Sequence, residues 1–152
     1  MGPKDFTLQS IDGTQTFQLS KDKSEFVALH FLLKTECSFC LRYTQDYIAN
    51  AKKHPNVTHV FIKPDKPEES QKWFSKFKED NSETLVVYHD PEAGLAARYG
   101  IPDGYRFHRE VVHYPAFILL DKNREEVIRY IGKKTQDRFY YKKFEEKMGS
   151  MK

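Results

Sequence analysis

Val27-Ala28-Leu29-His30-Phe31-Leu32-Leu33 runs through Lys34-Thr35-Glu36 into Cys37-Ser38-Phe39-Cys40, and Leu41 to Lys53 follows. The first run is apolar and short, which predicts a buried strand. The last carries its apolar residues at helical spacing, which predicts an amphipathic helix from about 38 to 53. Cysteine in the first turn of a helix meets unpaired backbone N–H groups and the positive end of the helix dipole. Both favour the thiolate over the thiol. The second cysteine, three residues on, lies on the same face and close enough to close a small disulfide ring. A reversible dithiol/disulfide couple is therefore the first chemistry the chain suggests.

Bulk properties narrow the setting. The 152 residues suit a single domain over 1–152 with its own hydrophobic core, and 39% hydrophobic residues with twelve Phe and nine Tyr can fill it. Lys and Arg number 25 against 22 Asp and Glu, a net charge of +3 without a block of one sign. Nucleic-acid binding, which needs a basic face, is not expected. Two cysteines this close cannot staple distant parts of a fold. No run approaches the length of a membrane-spanning helix. The opening Met-Gly-Pro-Lys-Asp lacks the apolar stretch of a signal peptide. As written this suits a cytoplasmic protein; a trimmed leader would make it extracytoplasmic.

Outward from the cysteines, strands and helices alternate. Phe6–Asp12 and Gln15–Leu19 flank an Asp12-Gly13 turn and predict an N-terminal hairpin. His54-Pro55-Asn56 stops the first helix, and 57–62 reads as the next strand. Pro67-Glu68-Glu69 opens a helix to about Asp80 with Trp73, Phe74 and Phe77 as its buried stripe. Leu85–His89 reads as a short strand, and Asp90-Pro91-Glu92 starts a helix that ends at Gly100. Ile101–Tyr114 reads as a loop with extended parts. Ala116–Leu120 and Val127–Ile131 form a hairpin around Asp121-Lys122-Asn123, and a last helix spans about Thr135 to Met148. This order predicts an α/β fold: a mixed central sheet with helices on both faces and an N-terminal β-hairpin.

With these residues in order, the chain resembles the thioredoxin superfamily. It is most similar to the redoxin branch, which holds peroxiredoxin-like and thiol-disulfide oxidoreductase-like proteins. The resemblance rests on four stretches: the Phe6-Thr7-Leu8…Ile11-Asp12-Gly13 opening, the strand–Cys-x-x-Cys–helix unit, Asp90-Pro91-Glu92…Tyr99-Gly100-Ile101, and His113-Tyr114-Pro115-Ala116-Phe117. It implies a thioredoxin-like fold and a thiol-disulfide oxidoreductase, with antioxidant activity as a related role. Cys37 would be the nucleophile and Cys40 the resolving thiol that attacks the mixed disulfide. Lys34 would favour the Cys37 thiolate and Glu36 oppose it. Pro115 would be a cis proline, and Tyr114 before it would offer backbone groups to substrate. Thr35 and Glu36, ahead of Cys37, would complete the substrate groove. The resemblance implies no bound cofactor. It implies protein or small-molecule thiols and disulfides as substrates, and a redox partner protein.

The chain also departs from housekeeping thioredoxins. Glu36 replaces their tryptophan, Phe31 stands where they bury a proton-accepting carboxylate, and the dipeptide between the cysteines is Ser-Phe. Two alternatives remain in view. A thiol-dependent peroxidase of peroxiredoxin type would carry Pro-x-x-x-Thr-x-x before its cysteine. Here Thr35 is two residues before Cys37, with Phe31 at the proline position. A Sco-like copper chaperone would use Cys37, Cys40 and His113, since two thiolates and an imidazole suit copper. Such proteins space their cysteines one residue further apart. A structural zinc site lacks two ligands. Gly104-Tyr105-Arg106-Phe107-His108-Arg109 is a basic, aromatic loop that suits either a solvated loop with a few packed aromatics or a rim that recognises a protein or small-molecule partner. His30, His54, His59 and His89 share no ligand spacing and read as structural.

Overall fold

The computed structural model describes residues 5–34, 38–80, 86–107 and 109–150, and the side chains of all of these but 38, 39, 73, 74, 76–80 and 107. The stripe expected of Trp73, Phe74 and Phe77 lies outside the described side chains. In chain order the elements are β1 (Thr7–Ser10), β2 (Thr16–Gln18), β3 (Phe26–Phe31), α1 (Ser38–Asn50), β4 (Val57–Lys63), α2 (Pro67–Asp80) and β5 (Val87–His89). They continue with α3 (Gly94–Arg98), β6 (Tyr105–Phe107), β7 (Glu110–Val112), β8 (Ala116–Leu120), β9 (Glu126–Ile131) and α4 (Tyr141–Ser150). Seven strands form one mixed sheet in the order β2-β1-β5-β4-β3-β8-β9. β3, β4 and β5 are parallel neighbours, and β8 runs antiparallel to β3.

Strand alternation divides the core in two. Val27, Leu29 and Phe31 of β3, Val60 and Ile62 of β4 and Ile118 of β8 pack in one cluster with Leu95, Ala96 and Tyr99 around α3. Ala28 of β3, Phe61 of β4 and Phe117 and Leu119 of β8 face the other way. They pack with Cys40, Tyr43 and Tyr47 of α1 and Phe144 and Met148 of α4. The expected layering, helices on both faces of a mixed sheet, is what is observed. The N-terminal hairpin is present as β1–β2. Its turn is closed by Asp12 Oδ1, which accepts from Thr14 N at 3.0 Å, while Gly13 takes φ +76°.

Two expectations need correction. Residues 101–114 contain a hairpin of their own, β6–β7, with Arg109 in its turn at φ +66°. The last helix begins at Tyr141, six residues after the expected Thr135. The polar groups between are engaged in non-helical bonds. Asp137 accepts from the Tyr130 hydroxyl and from Lys133 N, Arg138 Nε donates to Thr135 O at 2.7 Å, and the Tyr47 hydroxyl donates to Phe139 O at 2.6 Å. Phe139 is buried, as expected, without being helical.

Candidate active site

β3 and β4 deliver the chain to the cysteine segment. Leu32 N donates to Ile62 O at 2.8 Å, continuing the parallel pairing one step beyond β3. Lys63, at the end of β4, is fully buried and donates from Nζ to Leu33 O at 2.7 Å. It also pairs with buried Asp65 at 3.5 Å. Thr35, Glu36 and Cys37 lie outside the described residues. Helix α1 starts at Ser38, so Cys40 stands in its first turn. Cys40 is fully buried, and Tyr43, Thr44 and Tyr47 continue the same inward face at helical spacing.

Pro115 meets this helix from the other side. Its carbonyl accepts from Gly132 N at 2.8 Å, and Pro115, Tyr43, Arg138 and Phe139 share the lining of a cavity of about 10 Å³. That volume holds about one water. Tyr114 is half-buried with its ring 5.2 Å from that of Tyr105. The expected cis bond before Pro115 is not found: no peptide bond among the described residues is cis. Trans is the lower-energy form of X–Pro bonds. Here Tyr114 N donates to Pro102 O and Pro115 O accepts from Gly132, which anchors the segment on both sides.

Lys34 shares its charge with a carboxylate. Its ammonium pairs with Glu110 of β7 at 2.8 Å, and that carboxylate raises its pKa. Lys34 also stands at the mouth of a cleft of about 750 Å³, with Lys66, Glu69, His89, Ile101 and His113 around it. His113 is buried, and its Nδ1 lies 2.7 Å from Tyr114 O. A carbonyl only accepts, so Nδ1 carries the proton. Burial lowers the His113 pKa, so the ring is neutral near pH 7. Among the described residues no three His, Cys, Asp or Glu side chains group closely enough to hold a metal. The copper set Cys37, Cys40 and His113 includes a residue outside the described ones.

A polar cluster lies beneath α1. His30 is fully buried, with Nδ1 2.6 Å from the Tyr43 hydroxyl and Nε2 2.9 Å from His59 Nδ1. Its ring stacks on Phe61 at 4.4 Å. Burial holds His30 well below the usual histidine pKa and lowers His59 to about 4. Arg138, also buried, lies over the Tyr43 ring at 5.7 Å, and burial lowers its pKa to about 10. In the sequence His30 and His59 read as structural, and nothing there singles out Arg138 or Lys63. A titratable residue inside an apolar strand was the available signal for His30.

The mixed seven-stranded sheet with helices on both faces is a thioredoxin-like fold. Residues 3–131 match the sequence profile of the AhpC/TSA family, and the chain belongs to that family. No curated protein matches the sequence. Among solved structures, the peroxidoxin BcpB from Mycobacterium tuberculosis superposes with a TM-score of 0.76 at 17% identity, over 99% of this chain and 97% of that one. A secreted disulfide oxidoreductase of Mycobacterium tuberculosis, homologous to DsbE of E. coli, gives 0.68 at 18% identity over 95% of each chain. A thiol peroxidase from Chromobacterium violaceum gives 0.75 at 16% identity, over 99% of this chain and 86% of that one. At these identities the likeness is one of fold. No helix among the described residues is long and apolar enough to cross a membrane.

Proposed function

We infer that this protein exchanges thiols and disulfides through a Cys37/Cys40 couple. The observation that carries the reading is Cys40: a buried cysteine in the first turn of α1, three residues after a second cysteine, in a chain of the AhpC/TSA family. The Cys37 thiolate attacks a substrate disulfide, forming a mixed disulfide and releasing one substrate thiolate. Cys40 then attacks the Cys37 sulfur, releasing the second thiolate and leaving a Cys37–Cys40 disulfide. Two electrons pass to the substrate, and a partner dithiol returns them, itself becoming a disulfide. Tyr114 and Pro115, with Thr35 and Glu36, would form the groove that receives substrate.

Thiol peroxidase activity is the second reading, favoured by family membership and by peroxidase structures among those of the same fold. The missing Pro-x-x-x-Thr-x-x pattern weighs against it. Equilibration in thiol/disulfide buffers, alkylation and thiol counting by mass tests the first reading. A reversible two-electron transition between about −120 and −270 mV is expected, the range of characterised oxidoreductases. If no intramolecular disulfide forms while peroxide converts Cys37 to a sulfenic acid, the peroxidase reading takes its place.

A further inference from the structure

A buried thiol needs somewhere to send its proton before it can attack, since the thiolate is the nucleophile. We propose that Tyr43, His30 and His59 form a path that carries the Cys40 proton from the core to the surface. The proposal rests on the resolving role given to Cys40 above. Tyr43 follows Cys40 by one helical turn on the same buried face, and side chains on a helix lean back toward the preceding turn. The Tyr43 hydroxyl reaches His30 Nδ1 at 2.6 Å, and His30 Nε2 reaches His59 Nδ1 at 2.9 Å. His59 is only partly buried and ends the path toward solvent.

The chemistry balances with one tautomer. Tyr43 donates to His30 Nδ1, and His30 Nε2–H donates to His59 Nδ1. As Cys40 gives up its proton to the Tyr43 oxygen, Tyr43 passes its own to His30. His30 passes the Nε2 proton to His59, and His59 releases one to water. Cys40 is left as a thiolate one helical turn from a re-protonated Tyr43, and no electron has moved.

Burial keeps both imidazoles neutral at pH 7, so each can accept a proton. Burial also raises the Tyr43 pKa well above 10, which suits a group that passes a proton on rather than remaining a tyrosinate. Tyr47 and Tyr140 flank Tyr43, with ring centroids 5.0 and 5.9 Å from its own, and after burial both add to the rise of its pKa. Tyr47 donates to Phe139 O, and Arg138 lies over the Tyr43 ring, where its charge favours negative charge nearby. His54, bonded to the Tyr141 hydroxyl at 3.0 Å, lowers the proton affinity of His59.

Single-turnover release tests the path. Cys37 is loaded with 5-thio-2-nitrobenzoate, and its displacement by Cys40 is followed by absorbance from pH 5 to 9. Tyr43→Phe and His30→Phe are expected to slow release at pH 7 at least tenfold and to shift the pH profile upward. Phe61→Leu, which alters the packing on His30 and His59 but removes no hydrogen-bonding group, should leave the profile in place. Release at wild-type rates with a wild-type profile in both path variants overturns the proposal. So does a Phe61→Leu profile shifted as far as theirs. Should the wild type never release the label, the resolving role of Cys40 fails instead. The path is then decided by the ¹³Cβ titration of Cys40 in Cys37→Ser, whose midpoint should rise by about one pH unit on adding Tyr43→Phe. An unmoved midpoint overturns it.

Discussion

His30 of β3 and His59 of β4, 29 residues apart, meet with Nε2 and Nδ1 at 2.9 Å inside the core. The parallel register places Ala28 opposite His59 and His30 opposite Phe61, so the two rings lie diagonally on one face of the sheet. Two imidazoles share a volume where a charged one is costly.

Acid should therefore loosen this protein before its carboxylates protonate. The folded pKa of His59 is about 4 against 6.5 for an unperturbed histidine, and burial also holds that of His30 well below the usual value. Between these values the unfolded chain binds more protons than the folded one, so stability rises with pH and is lost as pH falls from 6.5 toward 4. His59 alone accounts for at most about 3 kcal/mol. His113, lowered in the same direction, adds to the effect. Carboxylates such as Asp12, held at about 2, act only at lower pH. Urea unfolding at pH 7.5, 6.5, 5.5 and 4.5 measures the slope. A flat free energy from pH 7 to 5 would show that the histidines are not buried in the neutral form.

Asp90 should hold the start of α3. It is buried, and its two carboxylate oxygens accept from Leu95 N at 2.7 Å and Ala96 N at 3.1 Å. Burial raises its pKa even so, which marks the cost of keeping the charge there. Asp90→Ala strands two buried N–H groups and should cost about 2 kcal/mol, with Asp90→Asn costing less because one acceptor remains. Chemical denaturation at pH 7 ranks the two variants. Equal losses would mean that the hydrogen bonds do not carry the effect.

Much of this arrangement was legible in the sequence. The apolar run before Cys37 and the helical spacing after Cys40 mark β3 and α1, and Asp12-Gly13 marks the first hairpin, because each signal is local. The hairpin at 105–112 was missed since its turn uses Arg109 at positive φ, where glycine or asparagine would have announced it. The start of α4 was misplaced because 135–140 has ordinary helical composition, and tertiary bonds from Tyr130 and Tyr47 decide its conformation. The His30–His59 contact depends on strand register, and the burial of Lys63 and Arg138 on distant partners. No spacing rule reports such features.

Two glycines should respond to alanine with opposite signs. A Cβ on Gly132 would lie 1.9 Å from Asp137 O and 2.9 Å from Pro115 Cγ, and the first of these is backbone. Gly132→Ala must therefore displace the segment that supports Pro115, at a cost of about 3 kcal/mol. Gly149, in the last turn of α4, has no atom within 4 Å of a Cβ. Gly149→Ala should be neutral or stabilising by a few tenths up to about 0.5 kcal/mol, since alanine favours helix. Thermal melts of both variants against the wild type suffice. A neutral Gly132→Ala would mean that the 132–137 turn is loosely held.

Lys63 and Asp65 should behave as a coupled pair that also anchors the entry to the cysteines. Both side chains are within 2% of full burial, 3.5 Å apart, and Lys63 Nζ donates to Leu33 O at 2.7 Å. Lys63→Met leaves a buried carboxylate and should cost about 3 kcal/mol or more, as should Asp65→Leu for the ammonium. In the double variant neither charge remains, so the loss should be well below the sum of the two, with a coupling energy above about 1 kcal/mol. It should still fall short of wild type by about 1–3 kcal/mol, because the Leu33 carbonyl has lost this donor in either background. Urea unfolding of the four proteins closes the cycle. Additive losses would mean that the charges do not interact. A double variant as stable as wild type would mean that the Lys63 contact with Leu33 O contributes nothing.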